Sequence, residues 1–169
     1  GARSLASCGL PCALACGARS ESVRLITVRT LVTGAGGQVG LDLIRALLEQ
    51  GDEVHASDLV GRPEAAAALP AKLPWHRLDV THQEEVYECL DRVQPERVFH
   101  LAAILSARGE VDPSLTYRVN QTGTYNVLEA AVEQKVDKVV AASSASVYGM
   151  AESFPTTEDH HPYGNRTIY

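Results

Sequence analysis

The residues whose types and spacing suit chemistry begin with Thr33-Gly34-Ala35-Gly36-Gly37-Gln38-Val39-Gly40. Glycines let a backbone approach a phosphate closely, and the free N–H groups at the start of a following helix stabilise the charge. A pyrophosphate is the natural guest of such a turn. The common G-x-G-x-x-G fingerprint is not met, because after Gly34 and Gly36 the sixth place falls on Val39; the pattern present is Thr33-Gly34-x-x-Gly37-x-x-Gly40. A carboxylate, Asp58, follows 18 residues beyond Gly40, about where a dinucleotide fold places the acid that binds the adenosine ribose hydroxyls. An acid there repels the extra phosphate of NADP and so favours NAD, while Arg62 close by pulls the other way. The competing role for Asp58 is simply to cap a turn at a strand end.

Other chemistries find less support. Cys8, Cys12 and Cys16 lie within the first sixteen residues with no histidine near them, and Gly9, Pro11 and Gly17 argue against their ordered presentation on a helix. His160-His161 lacks a third ligand in its neighbourhood, so no metal site is expected. The net charge is −6 with no cluster of lysines and arginines, which removes the electrostatic footprint of a nucleic-acid binder. No apolar run approaches the roughly 20 residues that span a bilayer, so no membrane partner is expected either.

These residues need elements to hold them. A chain of 169 residues, 45% hydrophobic and 21% charged, can bury one sizeable core. Residues 1–22 are rich in Ala, Ser, Gly and Arg with Glu21 as the lone acid; they read as a disordered leader, an organelle transit segment or a remnant of upstream coding sequence. The folded domain is expected over 23–169. Thr30 to Thr33 forms a first strand, and Leu41 to Gln50 a helix with leucines on one face, stopped by Gly51. Glu53 to Asp58 reads as a second strand, Glu64 to Leu69 as a short helix, and Trp75 to Leu78 as a third strand. Thr81-x-x-Glu84 has the form of a capping box opening a helix to about Arg92. Arg97 to Ala103 is a fourth strand, Asp112-Pro113 starts a helix running to about Lys135, and Lys138 onward is a fifth strand. Tyr117, Val119, Gly123, Val127, Leu128, Ala131 and Val132 form the inward stripe expected for that helix. The alternation predicts an α/β, doubly wound parallel sheet of Rossmann type with five β-α units, breaking off before a sixth strand and a substrate domain.

The motifs set on this frame resemble the extended short-chain dehydrogenase/reductases, the NAD-dependent epimerase/dehydratase family, from Thr30 to Tyr169. The T-G-x-x-G-x-x-G turn, Asp79-Val80 after the third strand, His100-Leu101-Ala102-Ala103 and Asn120-x-x-Gly123-Thr124-x-Asn126-Val127-Leu128-Glu129-Ala130 all match it. The resemblance implies NAD as cofactor, bound by Gly34, Gly37, Gln38, Val39, Gly40, Asp58, Asp79, Val80, Leu101, Ala102, Ala103 and Asn120. His100 reads as a packed, hydrogen-bonded residue rather than a catalyst. Asn120 is expected near the cofactor, with a buried amide satisfied by backbone as the alternative.

Ser143-Ser144-Ala145-Ser146-Val147-Tyr148-Gly149 resembles the loop of nucleotide-sugar epimerases and dehydratases that carries a catalytic Ser or Thr, and by position that residue is Ser144. The base of such enzymes is the Tyr of Y-x-x-x-K. Tyr163 has Thr167 where the lysine belongs, whereas Asn165-Arg166-Thr167-Ile168-Tyr169 resembles N-R-T-x-Y-G-x-[ST]-K, which makes Tyr169 the expected base and puts its lysine beyond the end of the sequence. The implied partner is a nucleotide-sugar. An alternative is a small amino-alcohol, because Leu101 to Glu110, Gly37 to Gly40 and Ser57-Asp58-Leu59 resemble the threonine 3-dehydrogenase members of the same branch. A non-catalytic dinucleotide sensor is the third possibility. The resemblance also implies a homodimer as the full-length protein and a cytoplasmic location, or an organelle if residues 1–22 are a transit segment. The 169 residues alone are expected to bind dinucleotide weakly and to turn nothing over.

Overall fold

A computed structural model describes residues 27–150, 154–160 and 168; residues 1–26, with Cys8, Cys12 and Cys16, and also His161, Tyr163 and Tyr169, lie outside the described residues. Five strands form one parallel sheet: β1 (Arg29–Thr33), β2 (Glu53–Asp58), β3 (Trp75–Arg77), β4 (Arg97–His100) and β5 (Lys138–Ala141), in the order β3-β2-β1-β4-β5. The chain therefore starts in the middle of the sheet, winds outward to one edge through β2 and β3, then crosses back over β1 to β4. That reversal opens a crevice at the carboxyl ends of the strands.

Alternation along β1 sends Leu31 to one face and Val32 to the other, and each face has its own core. Leu31 packs with Val86, Leu90 and Val93 of α2 (Gln83–Val93) and with Val127, Ala130 and Ala131 of the long helix after β4. Val32 packs with Leu41, Ile44 and Leu47 of α1 (Gln38–Glu49) and with Leu69 and Leu73 of the β2–β3 connection. Coverage on both faces is what lets these strands be almost wholly apolar. Cys89 belongs to the first core as a free thiol, which burial pushes up to about 11, so it packs and does not react.

Several boundaries differ from the sequence expectation. α1 begins at Gln38, directly after the glycine turn, and ends where Gly51 adopts φ 89°. The Glu64–Leu69 helix shrinks to a 3-10 turn, Glu64–Ala66. β4 stops at His100 because its neighbour β1 stops at Thr33; Leu101 N–H makes the last ladder bond, to the Thr33 carbonyl oxygen. The capping box is not formed: the Thr81 hydroxyl donates to Asp79 at 2.7 Å, and Glu85 accepts from the Asp79 N–H at 3.1 Å. The carboxylate two residues upstream captures the hydroxyl that was to cap the helix.

After β4 come α3 (Ser106–Gly109), then α4 (Pro113–Tyr117), a π-helical segment (Arg118–Gly123) and α5 (Thr124–Glu133) as one continuous helical run. Asp112 caps it as expected, accepting from the Leu115 N–H. The inward stripe is corrected: Gly123, Val127 and Ala131 face the core and Val119 is half-buried, but Tyr117, Leu128 and Val132 are exposed. Thr116 and Asn126 take core-facing places, because their polar groups reach buried main-chain carbonyls of Gly109 and Val80. An apolar-periodicity reading has no way to credit them.

Candidate functional site

A cleft of about 740 Å³ lies along the carboxyl ends of β1 to β4, within the range of small-molecule sites. Its floor is the glycine turn. Gly34 has φ +66°, and a Cβ there would lie 2.6 Å from the Ala102 nitrogen, so only glycine lets β1 turn against the exit of β4. At Gly40 a Cβ would lie 2.7 Å from the Gly34 carbonyl oxygen, which is how α1 comes down flat onto the turn. Leu41 N–H to Gly37 is the first bond of the helical ladder, leaving the N–H groups of Gln38, Val39 and Gly40 to face outward, with no acid in the first turn to oppose an anion. This is a cradle for phosphate.

Asp58 closes β2 at the same rim. Its Oδ2 accepts the Gly36 N–H at 2.8 Å, so the carboxylate ties the second strand to the phosphate turn while its other oxygen faces the cleft rim, 3.4 Å from the Val60 N–H. Arg62, the residue that could have favoured an extra phosphate, is occupied elsewhere. Its guanidinium donates to the carbonyls of Ala66, Leu69 and Pro70 at 2.7–2.9 Å and does not line the cleft. Asp79 and Val80 form the far wall. Burial works to raise the Asp79 pKa, but the Thr81 hydroxyl and N–H outweigh it, with His82 and Arg77 adding, and hold the carboxyl below its ordinary value.

The long helix secures these walls from behind. A Cβ on Gly123 would lie 2.6 Å from Val80 Cγ2, so glycine admits Val80 to the helix surface, and Asn126 Nδ2 donates to the Val80 carbonyl at 2.9 Å. Asn120 grips the other wall: its Oδ1 accepts the Ile104 N–H at 2.8 Å and its Nδ2 donates to the Ile104 carbonyl at 3.0 Å. The N-x-x-G-T-x-N spacing thus sets Asn120 against the β4 exit and Gly123 and Asn126 against the β3 exit. The π-helical turn carries two of them.

Of the residues singled out from sequence, Gly34, Gly37, Gln38, Val39, Gly40, Asp58, Asp79, Val80, Leu101, Ala102 and Ala103 all line this cleft. Asn120 stands behind it. Ser144 lies after β5 at the same end of the sheet but off the cleft wall; its Oγ accepts the Ser146 N–H at 3.1 Å, which leaves the hydroxyl proton free to donate. Tyr169 is outside the described residues, and the N–H of its neighbour Ile168 donates to Glu110 beside α3 at 3.0 Å. Residues not anticipated also line the cleft: Ile104, Leu105 and Arg108 around α3, and Leu115 and Val119 one helical turn apart. The four-residue spacing of that last pair was a readable signal, and Arg108, the one cation among the described lining residues, falls within the Leu101–Glu110 stretch that resembles the threonine 3-dehydrogenases. No helix among the described residues is long and apolar enough to cross a membrane, and none of their His, Cys, Asp and Glu side chains group as a metal site.

Comparison with known proteins agrees with this geometry. The model of the NAD dependent epimerase/dehydratase family matches residues 30–169. The UDP-glucose 4-epimerase of Mycolicibacterium smegmatis is 39% identical over 138 residues, covering 78% of this chain and 44% of that protein. Among solved structures, the UDP-glucose 4-epimerase of Thermus thermophilus in complex with NAD superposes with a TM-score of 0.75 at 32% identity, covering 83% of this chain and 46% of that one. The L-threonine 3-dehydrogenase of Trypanosoma brucei does so with a TM-score of 0.75 at 31% identity, covering 85% and 44%. The chain thus spans less than half the length of these relatives.

Proposed function

The chain belongs to the NAD dependent epimerase/dehydratase family, and from that premise we propose that its cleft holds NAD as part of a nucleotide-sugar epimerase or dehydratase. The observation that carries the cofactor is the Gly34 turn pressed against Ala102 with Asp58 fastened beside it, a phosphate cradle and a ribose acceptor on one rim. With Arg62 spent on main-chain carbonyls, nothing at Asp58 offsets its repulsion of a second ribose phosphate, which supports NAD over NADP.

NAD held there supplies a hydride acceptor and donor. The chain's own residues have narrower tasks. Ser144 would donate its unused hydroxyl proton to a sugar oxygen and so orient it, and Tyr169 would take the proton of that sugar hydroxyl. Val80 and the Leu101–Ala103 segment would exclude water around the bound dinucleotide, and Asp79 with Val80 would contact its adenine. The exposed stripe of Tyr117, Tyr125, Leu128 and Val132 on the long helix supports a homodimer of the full-length protein.

A second reading is oxidation of a small amino-alcohol. Arg108 gives the cleft rim a cation that suits a carboxylate and a diphosphate alike, so the support for this reading is the likeness to the L-threonine 3-dehydrogenase of Trypanosoma brucei. Incubating the full-length protein with UDP-sugars, and separately with L-threonine plus NAD, separates the two: epimer or keto-sugar formation supports the first, NADH from threonine the second. NAD binding with neither reaction supports a non-catalytic sensor. A full-length protein that fails to bind NAD sinks all three.

A further inference from the structure

We infer that His100 is a positioning residue for the dinucleotide cleft: a neutral imidazole protonated on Nε2 that locks the Leu101–Ile104 wall to the helix behind it. The ligand rests on the NAD reading above; the geometry does not. His100 ends β4 and is buried, with Nδ1 2.8 Å from the Thr33 hydroxyl and Nε2 3.0 Å from the Thr124 hydroxyl. The Thr124 hydroxyl spends its proton on the Asn120 carbonyl at 2.7 Å, so it meets Nε2 with a lone pair and Nε2 must carry the hydrogen. In a neutral ring Nδ1 is then bare and takes the Thr33 proton. Thr33 in turn accepts the Ala102 N–H at 3.4 Å.

One direction of donation therefore runs from Ala102 through Thr33, His100 and Thr124 to Asn120. Burial alone drives the imidazole pKa down to about 4, which keeps the ring in the neutral form that this chain of bonds requires. Both ends of the relay hold the cleft wall. Ala102 lines the cleft, where its nitrogen sits 2.6 Å from the place a Gly34 Cβ would occupy, and the Asn120 side chain grips Ile104. A wall that shifts by a few tenths of an ångström closes on the phosphate turn or pulls away from it.

Thr124 is the point at which to test this, because it does not line the cleft. Thr124→Val removes the acceptor for Nε2 at nearly constant volume, and Thr124→Ser retains it. Losing one such bond is expected to weaken NAD binding, measured by calorimetric titration of the full-length protein, about threefold to tenfold. Exchange of the Ala102 amide hydrogen should quicken in Thr124→Val, and Thr124→Ser should restore both readouts. Long-range proton–nitrogen spectra of wild type at neutral pH should show a protonated Nε2 and a bare Nδ1. Thr124→Val that binds NAD like wild type with unchanged Ala102 exchange, or a ring protonated on Nδ1, overturns the inference. If wild type binds no NAD, the cofactor reading fails separately, and the exchange and ring spectra still decide whether His100 holds this wall.

Discussion

Acid should weaken this fold through one ring in particular. Burial lowers the His100 pKa from an ordinary 6.5 to about 4, so the folded chain refuses a proton that the unfolded chain accepts. Between those values the unfolded state binds more protons, and stability must rise with pH. The contribution is fully present above about pH 6.5 and is lost as pH falls toward 4. That difference corresponds to about 3 kcal/mol, a large part of the roughly 5–15 kcal/mol that holds a domain folded. The assay is urea unfolding followed by Trp75 fluorescence, stepped from about pH 7.5 to about pH 4.5, on wild type and His100→Gln. Glutamine still offers a donor and an acceptor but does not titrate. His76 is also lowered, by burial first and then by His55 and Arg92, and adds to the wild-type slope with the same sign. Comparison with the variant cancels that addition. His100→Gln should be the less stable protein at neutral pH, and the gap should narrow by about 2–3 kcal/mol across the window. Parallel stability curves for the two proteins would refute the reasoning.

Three further outcomes are expected. Gly34→Ala combines a left-handed backbone with a Cβ 2.6–2.8 Å from Leu101 and Ala102 main chain; it should cost roughly 2–5 kcal/mol in urea unfolding and abolish measurable NAD binding. Asp58→Asn keeps an acceptor for the Gly36 N–H but loses the charge, so the preference for NAD over NADP should narrow about tenfold in paired titrations, with little change in thermal midpoint. Gly123→Ala should destabilise by about 1–3 kcal/mol through its clash with Val80, and Val80→Ala in the same chain should recover part of that loss, a coupling readable in a double-mutant cycle.

Much of the fold was legible because its determinants are local. The apolar runs marking the strands, the turn before α1, Gly51 as its stop and the Asp112-Pro113 start of the long helix each depend on a few neighbouring residues. Most of the cleft was legible for the same reason: in a parallel sheet of this winding, residues just past each strand come together, so Gly34, Asp58, Asp79 and Ala102 could be placed by counting. Reading failed where a polar side chain chose a distant partner. The inward stripe expected for the long helix left Asn126 out, yet the Val80 carbonyl, 46 positions away, takes its donor in the core. Arg62 reads as a threat to NAD selectivity in one dimension, but four carbonyls of its own connection surround it in three.

By itself, then, the sequence determined the strand and helix alternation, the glycine turn and the carboxylate that follows it, since short-range sterics and hydrophobic period decide these. The tertiary structure alone decided what Thr33, His100 and Thr124 do together. They are 67 and 24 positions apart, and no local pattern shows that an imidazole will be buried between two hydroxyls with room for one tautomer. Hydrogen-bond direction depends on every donor and acceptor in the neighbourhood being satisfied at once, and only the packed chain settles that.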